Sequence, residues 1–198
     1  MNKTVKYAIF MVVVGVIVSL MLSIVNEFTS PIIESQKLEK VKNSLEEVDN
    51  INEWKSYSDV INISEDEFIE EVYISVNNNK QYQMIAYLIN TKGYSNGNIE
   101  SLVFIDYNKK EINSVKIISI ENQTKGIGSL ILDDPNYVKA FVNIEIKKYF
   151  NDNVNNHNSE SSDVISGATI SSRGVIQAVI SACNSFNNTL GENNETIK

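Results

Sequence analysis

One uncharged stretch dominates the hydropathy pattern. Tyr7 to Val25 runs Tyr-Ala-Ile-Phe-Met-Val-Val-Val-Gly-Val-Ile-Val-Ser-Leu-Met-Leu-Ser-Ile-Val. About 20 apolar residues cross the hydrocarbon core of a bilayer, so this run predicts a transmembrane helix. A secretory signal peptide is the competing reading, but its apolar region spans about 7–15 residues and ends in a small-residue cleavage site. The run is longer, no Ala-x-Ala-like site follows it, and no Cys closes it as a lipoprotein anchor would need. A retained single anchor over residues 1–27 is the expectation. Lys3 and Lys6 flank one end, and Asn26 and Glu27 the other, which favours a cytoplasmic N-terminus. Lys37, Lys40 and Lys42 on the far side weigh against that orientation.

Beyond the anchor the period changes. Ser30-Pro31 reads as a cap followed by proline at the first helical position. Leu38, Val41, Leu45 and Val48 then recur at helical spacing among charged residues, which predicts an amphipathic stalk helix. It packs either on its own domain or on a partner. Residues 28–66 are read as this helix plus a linker, with Ile51 to Asp66 polar and irregular. Its Trp54, the one tryptophan, is read as a core plug rather than a ring stacker.

Glu67 to Val76 and Gln81 to Asn90 are rich in Val, Ile, Tyr and Phe, with Asn77-Asn78-Asn79-Lys80 between them: a hairpin. Ile99 to Asp106 and Ile112 to Ile120 form a second pair, so an antiparallel sheet of at least four strands is expected. Gly93 to Gly97 joins the pairs as a flexible turn. A helix is predicted from Asp134-Pro135 through Tyr137, Val138, Phe141, Ile144 and Lys148 to about Phe150. Asn151 to Ser162 is an Asn/Ser-rich loop. A last helix runs from Ser172 to about Asn187, with Val175, Val179, Cys183 and Phe186 as its buried stripe. The fold class is α+β, with the domain over residues 67–190 and a tail over 191–198.

The 198 residues, 42% hydrophobic, suffice for one ordinary core plus an appendage. A net charge of −8 excludes nucleic acid as a partner, because phosphate backbones need a basic face. One cysteine, Cys183, rules out an internal disulfide and any cysteine-ligated cluster. One histidine, His157, argues against a histidine-built zinc or iron site, and it is read as a solvated loop residue. Any redox chemistry then belongs to an organic cofactor. Nothing in the chain resembles a triad or a paired-carboxylate site, so no catalytic residue is assigned.

The candidate chemistry lies in Asp163-Val164-Ile165-Ser166-Gly167-Ala168-Thr169, ahead of a helix opening near Ser171. Gly167 lets the backbone turn and a ligand approach. The first helical turn offers unpaired N–H groups and the positive end of the macrodipole, which favour an anion. Thr169 adds a hydroxyl. The plainer reading is a turn and a helix cap. A second candidate is the strand-exit loop Glu121-Asn-Gln-Thr-Lys-Gly-Ile-Gly-Ser129, whose glycines could cradle a ligand.

The seven-residue stretch resembles the flavinylation motif of a family of membrane-anchored FMN-binding proteins. That family includes the G subunit of the Rnf electron-transport complex and the C subunit of the sodium-pumping NADH:quinone reductase. The resemblance extends to Asn26-Glu-Phe-Thr-Ser-Pro-Ile-Ile after the anchor. It also covers Gly93-Tyr94, where Ser95 and Asn96 replace glycines of the family's linker. Thr124, Gly126 and Gly128 match the family's strand-exit loop near the flavin, with Gln123 in place of an acidic residue and Lys125 in place of proline. Lys125 is read as a solvated loop lysine, with a charge near the flavin as the sharper alternative.

The chain length is closer to the Rnf subunit. The resemblance implies FMN joined through its phosphate to Thr169 by a dedicated flavin transferase. Ser166, Gly167 and Ala168 would shape the phosphate site, and Asp163 would bond locally or be read by the transferase. It further implies an FMN domain on the outer face of a bacterial cell membrane. The chain would be an electron carrier with no turnover of its own, among the subunits of an ion-translocating ferredoxin:NAD⁺ oxidoreductase. Two other readings stand beside this one: a different anchored extracytoplasmic flavoprotein, and a non-redox anchored sensor or binding module.

Overall fold

The computed structural model describes residues 3–57, 66–121, 123–134, 136–158 and 160–191. The chain divides into two compact units, Met1–Lys40 and Val41–Lys198.

Helix α1 spans Lys3–Val48 and carries Pro31 inside it. The expected new helix start at Ser30-Pro31 is therefore corrected: one helix runs through. A proline removes one backbone donor from a helix interior. The side chains beside it close back onto the helix, with Thr29 Oγ1 donating to the Val25 carbonyl at 2.9 Å and Ser30 Oγ to Asn26 Oδ1 at 3.3 Å. The most apolar part of α1 has a mean hydropathy of 2.9 and no buried residue, and it is long and apolar enough to cross a membrane. Phe10, Met11, Met21 and Leu22 are all more than 60% exposed, a surface that suits lipid rather than water.

The second unit is a six-stranded antiparallel meander in the order β1-β2-β3-β4-β5-β6. Its strands are β1 (Glu53–Ser56), β2 (Ile69–Val76), β3 (Tyr82–Lys92), β4 (Asn98–Asp106), β5 (Glu111–Ile120) and β6 (Ile144–Glu145). The two predicted hairpins are β2–β3 and β4–β5. Strands β1 and β6 are additions at the edges. The side-chain period of two sorts β3 between opposite faces: Ile85, Tyr87 and Ile89 point one way, Ala86 and Leu88 the other. Both faces are covered, so the middle strands read as continuous apolar runs.

The larger core lies against helix α3 (Thr169–Phe186), where Val175, Val179, Cys183 and Phe186 are fully buried beside Tyr87, Ile99 and Val103. Gly174 sets this contact: a Cβ there would lie 2.9 Å from Ile99 Cδ1 and 3.0 Å from the Lys92 carbonyl. Thr91 Oγ1 donates to the Gly174 carbonyl at 2.8 Å. Burial pushes the Cys183 thiol up to about 12, so it is a core residue and not a reactive thiol. On the opposite face, Val41 and Leu45 from the end of α1 pack with Ala86, Leu88, Leu102, Phe104 and Ile118. Trp54 packs there too, edge-on to Phe104 at 5.9 Å between centroids, and its Nε1 donates to the Asp49 carbonyl at 2.9 Å. It is the core plug the sequence suggests.

The helix predicted from Asp134 to Phe150 is not there among the described residues. A short helix α2 covers Leu130–Asp133, 3₁₀ turns cover Val138–Phe141 and Ile146–Lys148, and β6 lies between the two turns. Asn143 sits at φ 59, and its N–H donates to the Ile112 carbonyl at 2.8 Å. The Ile146 N–H donates to the Lys110 carbonyl at 3.1 Å. Sheet-edge hydrogen bonds displace the helical ones, and Tyr137, Phe141, Ile146 and Tyr149 still reach the core. Past α3, Asn187–Gly191 continue as a π-helical turn, beyond the helix end expected at about Asn187. The remaining tail, residues 192–198, and residues 58–65 of the predicted linker lie outside the described residues.

In the turn between β3 and β4, Ser95 and Asn96 hold φ 55 and 57. The left-handed region costs a non-glycine residue about 1–2 kcal/mol, less for Asn. Ser95→Gly is therefore expected to raise stability by about 1 kcal/mol in chemical denaturation. A midpoint at or below that of the parent chain counts against the strain.

Candidate functional site

A cleft of about 380 Å³ opens where α3 begins. It is lined by Tyr94, Thr124, Ile127, Gly128 and the unbroken run Gly167 to Ser171. Three chain segments converge there: the β3–β4 turn, the loop after β5, and the motif ahead of α3.

Helix α3 starts at Thr169, two residues before the expected opening near Ser171, and its N-cap position is Ala168. No side chain caps it. Alanine is among the poor N-cap residues, whereas Ser, Thr, Asp and Asn satisfy one of the free N–H groups. The Ala168 N–H bonds to the Ile165 carbonyl at 2.9 Å, and the first helical bond runs from the Ser172 N–H to the Ala168 carbonyl at 2.8 Å. Between them, the N–H groups of Thr169, Ile170 and Ser171 make no hydrogen bond to the described residues. Ser172 Oγ accepts from the Ile165 N–H at 3.0 Å, which holds the loop rather than capping the helix. The helix therefore presents three unpaired donors at its positive end.

Gly167 holds φ +85, and a Cβ there would meet nothing within 4 Å. Its cost to a side chain is conformational, and the space beside it is open to a ligand. Thr169 is half-buried in the cleft lining, and its hydroxyl makes no hydrogen bond to the described residues. Tyr94, Ile127 and Ile170 are 48%, 53% and 52% exposed, so three apolar side chains are left uncovered on the lining. Among the described residues, no charged side chain lines the cleft.

Of the residues singled out in the sequence, the cleft brings together Thr169, Gly167, Ala168, Thr124 and Gly128. Ser166, Gly126 and Asp163 do not line it. Ser166 is exposed. Gly126, at φ +75, turns the loop, and its N–H donates to Ser129 Oγ at 2.9 Å. Lys125 is exposed and off the lining. Asp163 is 3% exposed and bonds locally, accepting from Tyr149 Oη at 2.9 Å and facing His157 Nδ1 at 2.9 Å.

His157 corrects the expectation of a solvated loop residue. It is 8% exposed, with Nε2 2.8 Å from Asp152 Oδ2, and it stacks on Tyr149 at 5.9 Å. Arg173 Nε, from α3, donates to its carbonyl at 2.7 Å. The imidazole thus links the Asn-rich loop to the motif six residues ahead of Thr169. A polar sequence neighbourhood concealed it, because its carboxylate partners sit five and six residues away on either side. Gln123 is the other site residue that the sequence undervalued. Its amide bonds to the β3–β4 turn, to the end of β5 and to α3.

The Asp152 carboxyl is held below its usual range. Burial alone would raise it, but hydrogen bonds from Asn156, His157 and the Asn153 N–H outweigh that. Asp49, beside β2, behaves likewise through Ser75, Asn52 and the Ile51 N–H. A depressed folded pKa stabilises above the unfolded value of about 3.9, and that stability is lost as pH falls through the folded pKa. The thermal midpoint is expected to be flat above about pH 5 and to fall below pH 4. Asp152→Asn should lower the plateau and flatten part of that fall; parallel curves for parent and variant would remove Asp152 from the account.

Residues 93–184 match the model of the FMN-binding domain family. Over that span the chain is similar to an FMN-binding domain. Every residue lining the cleft, from Tyr94 to Ser171, lies inside the matched span. Neither a curated protein nor a solved structure matches the chain. The cleft's donor set fits the cofactor: unpaired N–H groups for a phosphate, an open glycine turn, and an aromatic and two isoleucines for a flat ring. Burial raises Tyr137 and Tyr149 well above the usual phenol range, so neither is a proton donor or acceptor near neutral pH.

Proposed function

We propose that the chain is a membrane-anchored electron carrier whose FMN is joined through its phosphate to Thr169 Oγ. We further propose that it serves an ion-translocating ferredoxin:NAD⁺ oxidoreductase of the Rnf type. The observation that carries the attachment is the uncapped start of α3. Thr169 is its first residue, its hydroxyl bonds to none of the described residues, and it lines a cleft inside the span that matches the FMN-binding domain family.

Charge supports a covalent link. With no basic side chain among the described lining residues, the phosphate is met by N–H groups and a helix dipole worth about 0.3–1 kcal/mol at an exposed end. That is too little to retain a free flavin phosphate outside the cytoplasm. An ester bond removes the need. The Oγ–H bond is replaced by Oγ–P, and with a flavin dinucleotide as donor AMP leaves the phosphorus. The thr-linked group is then a singly charged diester, which three N–H donors suit better than a dianion. Bound FMN supplies reversible electron transfer. The chain's own residues position it, with Tyr94, Ile127 and Ile170 against the ring and Gly167 to Ser171 around the phosphate.

The apolar run of α1 is the proposed anchor, with Lys3 and Lys6 on the cytoplasmic side and the FMN-binding domain on the outer face. The other subunits of the complex would be its donor and acceptor, and a flavin transferase would mature it. The test is peptide mass. Trypsin should release Tyr149–Arg173 carrying one FMN less one water when the full chain is made beside a flavin transferase. An unmodified peptide from folded protein would end the covalent reading. Co-purification from membranes with subunits that oxidise ferredoxin would support the complex; recovery with an unrelated reductase would replace it.

A further inference from the structure

The amide of Gln123 sits in a socket made of three glycines. A Cβ on Gly93 would lie 2.8 Å from Gln123 Nε2, one on Gly97 would also lie 2.8 Å from it, and one on Gly128 would lie 3.0 Å from Oε1. A side chain at any of these three positions would push the amide from where it is. Inside the socket every polar end is used. Nε2 donates to the Tyr94 carbonyl at 3.2 Å and the Glu121 carbonyl at 2.9 Å. Oε1 accepts from the Tyr94 N–H at 3.2 Å and from Ser171 Oγ at 2.6 Å. Tyr94 and Ser171 stand in the cleft lining on separate chain segments, whereas Gln123 itself does not line it.

We propose that Gln123 is a positioning residue of the flavin cleft: its amide fixes the Tyr94 turn against the first turn of α3 and so sets the distance between the wall facing the ring and the wall facing the phosphate. This rests on the flavin reading. The amide is required as an amide. A carboxylate keeps both accepted bonds but loses both donated ones, and an apolar side chain of similar length loses all four. Gly93 and Gly128 thereby acquire a reason that is not ligand contact, and Gly97 a second one beside the Glu121 carbonyl, which a Cβ there would meet at 1.9 Å. They make the socket.

The test uses the full chain, flavin-loaded beside a flavin transferase, as parent, Gln123→Met, Gln123→Glu, Tyr94→Ala and the Gln123→Met/Tyr94→Ala double variant. Peptide mass reads the loading. Visible circular dichroism of the bound flavin and iodide quenching of its fluorescence read its placement. Gln123→Met is expected to keep the flavin mass, lose the induced dichroism and gain iodide access, with Gln123→Glu between it and the parent. Tyr94→Ala should show the same loss, and the double variant should fall short of the sum of the singles, because the two act on one wall. Should Gln123→Met fail to fold, Gln123→Glu and Ser171→Ala carry the test with the same readouts. Flavin-loaded variants with the parent's dichroism and quenching overturn the role of Gln123, as do fully additive effects. A parent chain with no flavin mass overturns the flavin reading beneath it.

Discussion

The Thr169→Ala chain is expected to emerge colourless, lacking the mass of one FMN less one water, and folded as well as its parent. The loss is all or none because the proposed link is a bond to one oxygen, and alanine has none. The stability half of the result discriminates between readings. Were the hydroxyl a helix cap, its removal would cost about 0.5–2 kcal/mol. Thr169 is instead the first helical residue, its side chain caps nothing, and alanine has the higher helix propensity by several tenths of a kcal/mol. The expected change in denaturation midpoint is therefore zero or slightly favourable. Thr169→Ser keeps an oxygen at the same place and should accept flavin. Intact mass and in-gel flavin fluorescence read the first half; urea denaturation reads the second. A flavin-bearing Thr169→Ala chain would move the attachment elsewhere, and a colourless parent would return the motif to a turn and a helix start.

The sequence made the sheet legible where two signals agreed. Around Asn77 to Lys80 and Tyr107 to Lys110, polar turn residues separate runs of β-branched and aromatic residues, and both hairpins follow. The helix α3 was legible from Val175, Val179, Cys183 and Phe186, and the turn ahead of it from Gly167. The failures have one cause: partners distant in sequence override local preference. Tyr137 to Phe150 carries apolar residues at helical spacing, yet its backbone is claimed by Lys110 and Ile112 on the edge of β5. Pro31 looks like a boundary because a local rule ignores a helix already nucleated on both sides. His157 looks solvated because hydropathy does not register Asp152, Asp163 and Tyr149 closing round it. Gln123 stood out only as a departure from an acid, and two of the three glycines around its amide, Gly93 and Gly97, lie well upstream of it.

Where the domain begins decides the second large effect. Cutting the chain after Asn26 removes the apolar run and keeps Val41 and Leu45, which are 3% and 6% exposed in the core opposite α3. That product is expected to be soluble, to unfold cooperatively and to take flavin. Cutting after Val48 removes both side chains and uncovers Ala86, Leu88, Leu102, Phe104 and Ile118. Burial of a large aliphatic side chain is worth about 1.5–3 kcal/mol, so the two together account for about 3–6 kcal/mol. Domains hold only about 5–15 kcal/mol in all, so the shorter product should lose a large share of its stability, bind a hydrophobic dye and aggregate. The ion pair between Lys116 and Glu47, at 2.7 Å, goes with the same cut but is exposed and adds little. Leu45→Ala in the longer product separates packing from chain length and should cost about 2–5 kcal/mol by itself. Equal urea midpoints for the two cuts would mean that the sheet does not depend on the end of α1. A stable longer product that never takes flavin would make the anchor, or what surrounds it in the membrane, part of the maturation site.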